Sequence, residues 1–148
     1  MALRSTQITD RLAALLDTAK GSGYPSAVGS RVLVGQVKGA EQQAPCVFLL
    51  PERESEEELY NRKGVTTRDY RLAAYAKRSA HPSLSEHALV DQIIYDLRQV
   101  IETRDATLAG LLESGPRLLQ VQPGFHEDGG QIVGAALSYQ LQYRQAAS

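Results

Sequence analysis

The run from Gln131 to Arg144 constrains the fold more than any other stretch of the chain. Val133, Ala135, Leu137, Tyr139, Leu141 and Tyr143 alternate with Gly134, Ala136, Ser138, Gln140, Gln142 and Arg144. A period of two separates these sets onto opposite faces only when the backbone is extended, so the run reads as a strand with one buried face. A shorter run, Leu118 to Gln122, precedes it across Gly124, Gly129 and Gly130, and the two are expected to form a β-hairpin that closes the fold. Such a one-faced sheet needs apolar helices to cover it.

Two segments have the spacing to supply them. Ser5 or Thr6 can cap a first helix that ends before Gly21 and Gly23, with Ile8, Leu12, Leu15, Leu16 and Ala19 on one face. Ser83 followed by Glu86 forms a capping box just after Pro82, and Val90, Ile93, Ile94, Leu97, Val100 and Ile101 continue at helical spacing. Gly21 to Ser30 reads as a connection. Arg31 to Val37 and Pro45 to Leu50 read as two strands with Gly39 to Gln43 as their turn, and Val65 to Lys77 as a third with one apolar face. Thr107 to Glu113 reads as a short extra helix stopped by Gly115 and Pro116. The expected fold is a single α+β domain over residues 1–148. It has one antiparallel or mixed sheet of about five strands, with two main helices packed against it.

Composition sets outer limits. With 148 residues, 43% hydrophobic and 22% charged, the chain is long enough for a sizeable core and ordinary enough to be globular. A net charge of -1 supplies no global attraction to nucleic acid or to an anionic membrane. Cys46, the lone cysteine, has no internal disulfide partner and sits in the apolar run Cys46-Val47-Phe48-Leu49-Leu50, which points to a buried structural thiol. The start of the chain carries no apolar leader-like region, and no stretch reaches the roughly 20 apolar residues that span a bilayer. A reducing cytoplasm and no membrane partner are the expectation.

Residue types that carry chemistry do not assemble in sequence. His81 and His87 flank a helix start and His126 lies in a distant turn, so zinc-ligand spacing is missing. Glu56-Glu57-Glu58 lacks the central glycine and spacing of a calcium loop. Asp128-Gly129-Gly130 leads into a strand, whereas phosphate-cradling loops lead into a helix. Gly21-Ser22-Gly23 follows a helix, the reverse of the dinucleotide-binding order. No serine or threonine shows a His/Asp pair in the sequence. The expectation is no enzyme activity, no metal and no cofactor.

The charged segment Glu52 to Gly64 carries Glu52, Glu54, Glu56, Glu57 and Glu58, then Arg62 and Lys63. It reads either as a long hairpin with Asn61-Arg62-Lys63-Gly64 at its tip or as a mobile loop. Arg62, Lys63, Arg68, Arg71, Lys77 and Arg78 would then cluster on the hairpin with the acidic residues at its other end. Separated signs of this kind suit pairing with a copy of the chain or with another protein. Glu56, Glu57, Glu58, Arg62, Lys63 and Arg68 are the candidate partner-binding residues.

With this order of elements the chain resembles the tail-terminator, or tail-completion, proteins of long-tailed bacteriophages. The likeness runs through the helix Ile8 to Ala19, the strand Pro45-Cys46-Val47-Phe48-Leu49, the charged segment and Tyr70-Arg71-Leu72-Ala73-Ala74-Tyr75. It continues through Asp91-Gln92-Ile93-Ile94-Tyr95-Asp96-Leu97 and the final Tyr139-Gln140-Leu141-Gln142-Tyr143. The resemblance implies a structural virion subunit, assembled in the host bacterial cytoplasm, that forms a homohexameric ring at the head-proximal end of the tail. Its implied partners are its own copies, the tail tube protein and the head–tail neck protein, with DNA passing through the lumen without sequence-specific binding. A head-completion or connector-ring protein, a small-molecule-binding α+β module and an undetected hydrolase are the alternatives.

Overall fold

The computed structural model describes residues 4–21, 23–35, 44–59, 62–104, 108, 110–112, 115–125 and 132–144. Strands β1 (Val32–Val34), β2 (Cys46–Leu59), β3 (Arg62–Lys77), β4 (Arg117–Phe125) and β5 (Ile132–Arg144) form one five-stranded sheet in the order β1-β2-β3-β5-β4. Among the described residues only β1 and β2 run parallel; the other pairs are antiparallel. Helices α1 (Arg4–Leu16) and α2 (Glu86–Gln99) supply the second layer, which makes the domain α+β as expected.

The alternation in β5 does what its period requires. Val133, Ala135, Leu137, Tyr139, Leu141 and Tyr143 are buried, and opposite them on β3 lie Ala76, Ala74, Leu72, Tyr70, Arg68 and Thr66. Apart from Arg68 and Thr66, these residues, with Val47 and Leu49 of β2, meet Ile8, Leu12 and Leu16 of α1 and Leu89, Val90, Ile93 and Leu97 of α2 in one core. Two tyrosines facing each other across the β3–β5 pair each tie a helix to the sheet. The Tyr70 hydroxyl lies 3.1 Å from Thr9 Oγ1 of α1, and the Tyr139 hydroxyl donates to Glu102 Oε2 at 2.9 Å, in the π-helical turn Val100–Arg104 that continues α2.

Several local expectations are corrected. Ser85, not Ser83, caps α2: its hydroxyl accepts from the Ala88 amide at 3.2 Å, so Glu86 falls inside the first turn and closes no box. Glu86 instead accepts from Arg78 at 3.1 Å. Ile94 lies at the margin of the apolar stripe and is only partly buried, whereas Leu89 joins the buried set. β1 is parallel to β2, so the two are not a hairpin about a tight turn; parallel neighbours must be joined by a crossover. The expected turn, Gly39 to Gln43, lies outside the described residues. The described part of the expected Thr107 to Glu113 helix is a turn, with Leu108 at φ 49 and Gly110 at φ 86, left-handed values that a right-handed helix does not continue through. Gly124 sits within β4, paired with Gly134, and not in the closing turn.

Gly29 packs the start of the sheet against α1. A Cβ at this position would come 2.8 Å from the backbone N and O of Ala19 and nearer still to the carbonyl of Leu16. No side chain fits there without moving the helix end.

Candidate functional site

The charged segment is a hairpin in its backbone. β2 and β3 pair from Cys46 opposite Tyr75 to Leu59 opposite Arg62, with register shifts between Pro51 and Glu54 and between Glu57 and Leu59. Among the described residues β5 pairs with β3 as far as Val65, and the β2–β3 pairing continues to the Leu59–Arg62 rung. The register differs from the expected separation of signs. Glu54 lies across from Arg68, Glu56 from Thr66 and Glu57 from Val65, so acidic and basic positions occupy facing strands over the same stretch. The side chains of Glu56, Glu57, Glu58, Arg62 and Lys63, and residues Tyr60 and Asn61, lie outside the described residues.

The other basic residues do not form one patch. Strand parity sends Arg68 to the helix side, where its guanidinium lies 5.5 Å from the centre of the Tyr70 ring. Such stacking keeps a cation against an apolar layer. Arg71 and Lys77 fall on the opposite face and are exposed, and Arg78 is held by Glu86.

That opposite face has no helix over it among the described residues. Its centre is low because β5 presents Gly134, Ala136 and Ser138 there, between Arg71 and Tyr75 of β3 and Gln120 and Gln122 of β4. Two shallow depressions result, about 150 and 180 Å³. Both are below the roughly 300 Å³ at which small-molecule pockets begin. Tyr75 turns its ring edge-on to Phe48, with centroids 6.2 Å apart at 75°. Cys46, opposite Tyr75 in the β2–β3 register, is fully buried, and burial pushes its thiol up to about 11 against the opposing charge of Arg31, so it stays protonated near neutrality.

A third feature is a groove of about 430 Å³ on the outer side of α2, bordered by Ile94, Tyr95, Arg98 and Glu102 among others. Arg98 grips Glu102 through Nε at 2.6 Å and a terminal nitrogen at 3.3 Å. Arg98 holds the Glu102 carboxyl below the usual carboxylate range, against partial burial and with help from Tyr139. Burial, first, and the Glu102 charge push the Tyr139 hydroxyl up. Each member is therefore locked in one protonation state near neutrality, which suits a tether and not a proton-transfer pair.

A pH test follows. Because the Glu102 value is lowered by folding, its stabilising contribution is complete above the ordinary carboxylate value of 4.5 and is lost as pH falls through the lowered one. The urea midpoint of Glu102→Gln should lie below wild type at neutral pH, and the gap should close in acid. A gap that persisted unchanged to pH about 2 would rule out the tether.

The residue that sequence reasoning missed is Asp96. It is fully buried, accepting at Oδ2 from the backbone N of Ser26 (2.9 Å) and from Ser26 Oγ, and at Oδ1 from Gln92 Nε2 (2.7 Å). The signal was present: Asp96 falls three residues after Ile93 and next to Leu97, on the core side of an otherwise apolar stripe. Among the described residues no three of His, Cys, Asp or Glu are placed to hold a metal ion, and no helix is long and apolar enough to cross a membrane. His81 is half-buried and His87 exposed, and His126 lies outside the described residues.

No protein-family model matches the chain, and no curated protein matches its sequence.

Proposed function

We propose that the chain is the subunit of a ring that caps a phage tail tube, ends tube elongation and presents its other side to the head-side neck proteins. The observation that supports this best is the presence of two chemically different candidate contact regions on one small domain. One is the charged β2–β3 hairpin; the other is the part of the sheet face away from the helices where Arg71, Lys77, Gln120 and Gln122 are exposed. A closed ring requires heterologous contacts, in which one patch of each subunit meets a different patch of the next. The α+β layout also agrees with the small α+β subunit that the resemblance implies.

The hairpin charges provide the test. Changing Glu56, Glu57 and Glu58 to lysine should weaken self-association at low salt, and adding Arg62→Glu and Lys63→Glu in the same chain should partly restore it. Arg68 is left intact because it stacks on Tyr70. The loss should shrink as salt rises, since exposed charges are screened beyond about 10 Å at 0.1 M. Sedimentation and a tail-tube capping assay read the outcome. Tubes of normal length with unchanged affinity at low salt would remove the hairpin from the contact.

A further inference from the structure

We infer that the outer face of α2 is a self-complementary contact for a second copy of this chain, made about a two-fold axis that crosses the helix between Ile94 and Tyr95. The inference stands independently of the ring. Asp91, Ile94, Tyr95 and Arg98 follow one another at spacings of three, one and three residues. At 100° per residue they occupy one stripe, turned away from the buried stripe of Leu89, Ile93, Leu97 and Val100.

In an antiparallel pairing centred on that point, each residue meets its mirror position on the other copy. Ile94 then meets Tyr95, and Asp91, three residues before Ile94, meets Arg98, three after Tyr95. Both copies supply the same pairs, so the contact carries two apolar meetings and two opposite-charge meetings with no like charges opposed. That reciprocity defines an isologous contact. A parallel pairing in register would set Asp91 on Asp91 and Arg98 on Arg98.

Exposure agrees with this use. Tyr95 is 58% exposed, one of three large apolar side chains left so open among the described residues. It stands beside the groove of about 430 Å³ that the Tyr95 of a second copy would enter. Arg98 is already committed to Glu102 through Nε and one terminal nitrogen. A guanidinium has five N–H donors, so those of the other terminal nitrogen can reach Asp91 of the other copy while Glu102 holds the fork in place. One helix face buries less than the roughly 1,200 Å² at which stable complexes begin, so the pairing is a transient one.

Sedimentation velocity of the full chain, from about 10 µM to about 1 mM at low salt, should show a doubling in mass with concentration. The doubling is from monomer to dimer, or from ring to paired rings where the ring has formed. Tyr95→Ala should weaken this step about tenfold and leave the urea midpoint unchanged. Asp91→Arg and Arg98→Asp should each weaken it by about tenfold or more alone, and an equimolar mixture of the two should return to within about threefold of wild type, because only the mixed pair has opposite charges at both meetings. No doubling in the wild type, no effect of Tyr95→Ala, or a mixture as weak as its components would overturn the inference.

Discussion

Truncating Ile93 to alanine should lower the stability of the domain by about 2–5 kcal/mol, because it removes three carbons from a site the surroundings cannot refill. Ile93 is fully buried at the centre of the α2 face, among core residues that both β3 and β5 supply from strands of fixed register. Collapse would need a shift of the whole helix. Ile94, one residue on, points 100° away into the outer groove and is only partly buried. Its truncation should cost about 1 kcal/mol or less. Chemical denaturation of the two variants side by side measures the difference. Equal drops in midpoint would mean that the apolar face of α2 is rotated from the one described.

The contrast between these neighbours marks where the sequence is legible. β5, β3 and the two helices could be read because a long amphipathic pattern fixes both element and face. Val133 to Tyr143 at every second position leaves one arrangement that buries them all. The margin of a stripe is less sharply defined, since a residue 100° from its centre is buried or open according to what packs there, and Ile94 packs only partly against the core. Ser83 and Ser85 were equally able to cap a helix by chemistry. The choice fell to Ser85, whose carbonyl also accepts the Leu89 amide at 3.0 Å and so begins the helical ladder. β1 has three residues, too short for any period, and its parallel partnership with β2 depends on the path of the chain between them.

The candidate surfaces were legible in composition and not in geometry. A count of charges finds the acidic and basic residues of the hairpin, but the face each occupies follows from strand parity and from two register shifts that no local pattern announces. Parity alone separates Arg68, turned to the helices over Tyr70, from Arg71, turned to the open face. The apolar α2 stripe drew attention to the core, while the opposite stripe of Asp91, Tyr95 and Arg98 reads as an ordinary solvated surface until exposure and spacing are set side by side.

Asp96→Ala should destabilise the domain by about 3–5 kcal/mol, comparable with the loss of a core isoleucine although only a polar group is removed. Its carboxylate is the acceptor for the Ser26 amide, the Ser26 hydroxyl and the Gln92 amide, and Ser26 is fully buried with it. Buried donors without an acceptor cost about 1–3 kcal/mol each. Gln92, half-buried, can turn towards water, which limits the total. The turn that Asp96 holds is itself held against resistance: Ala27 adopts φ 53, which L side chains disfavour, before Gly29 packs against the end of α1. Asp96→Asn keeps one acceptor but sets an NH2 group among donors, so its cost should be intermediate, about 2 kcal/mol, and Ser26→Ala should cost less again, about 1 kcal/mol. Urea denaturation gives the ranking, and hydrogen exchange at the Ser26 amide reports the turn directly, with protection falling in the same order. Were Asp96→Asn as stable as wild type, the buried carboxylate would be replaceable by any polar group of its shape, and the turn would have to be held by Gly29 and the end of α1 instead.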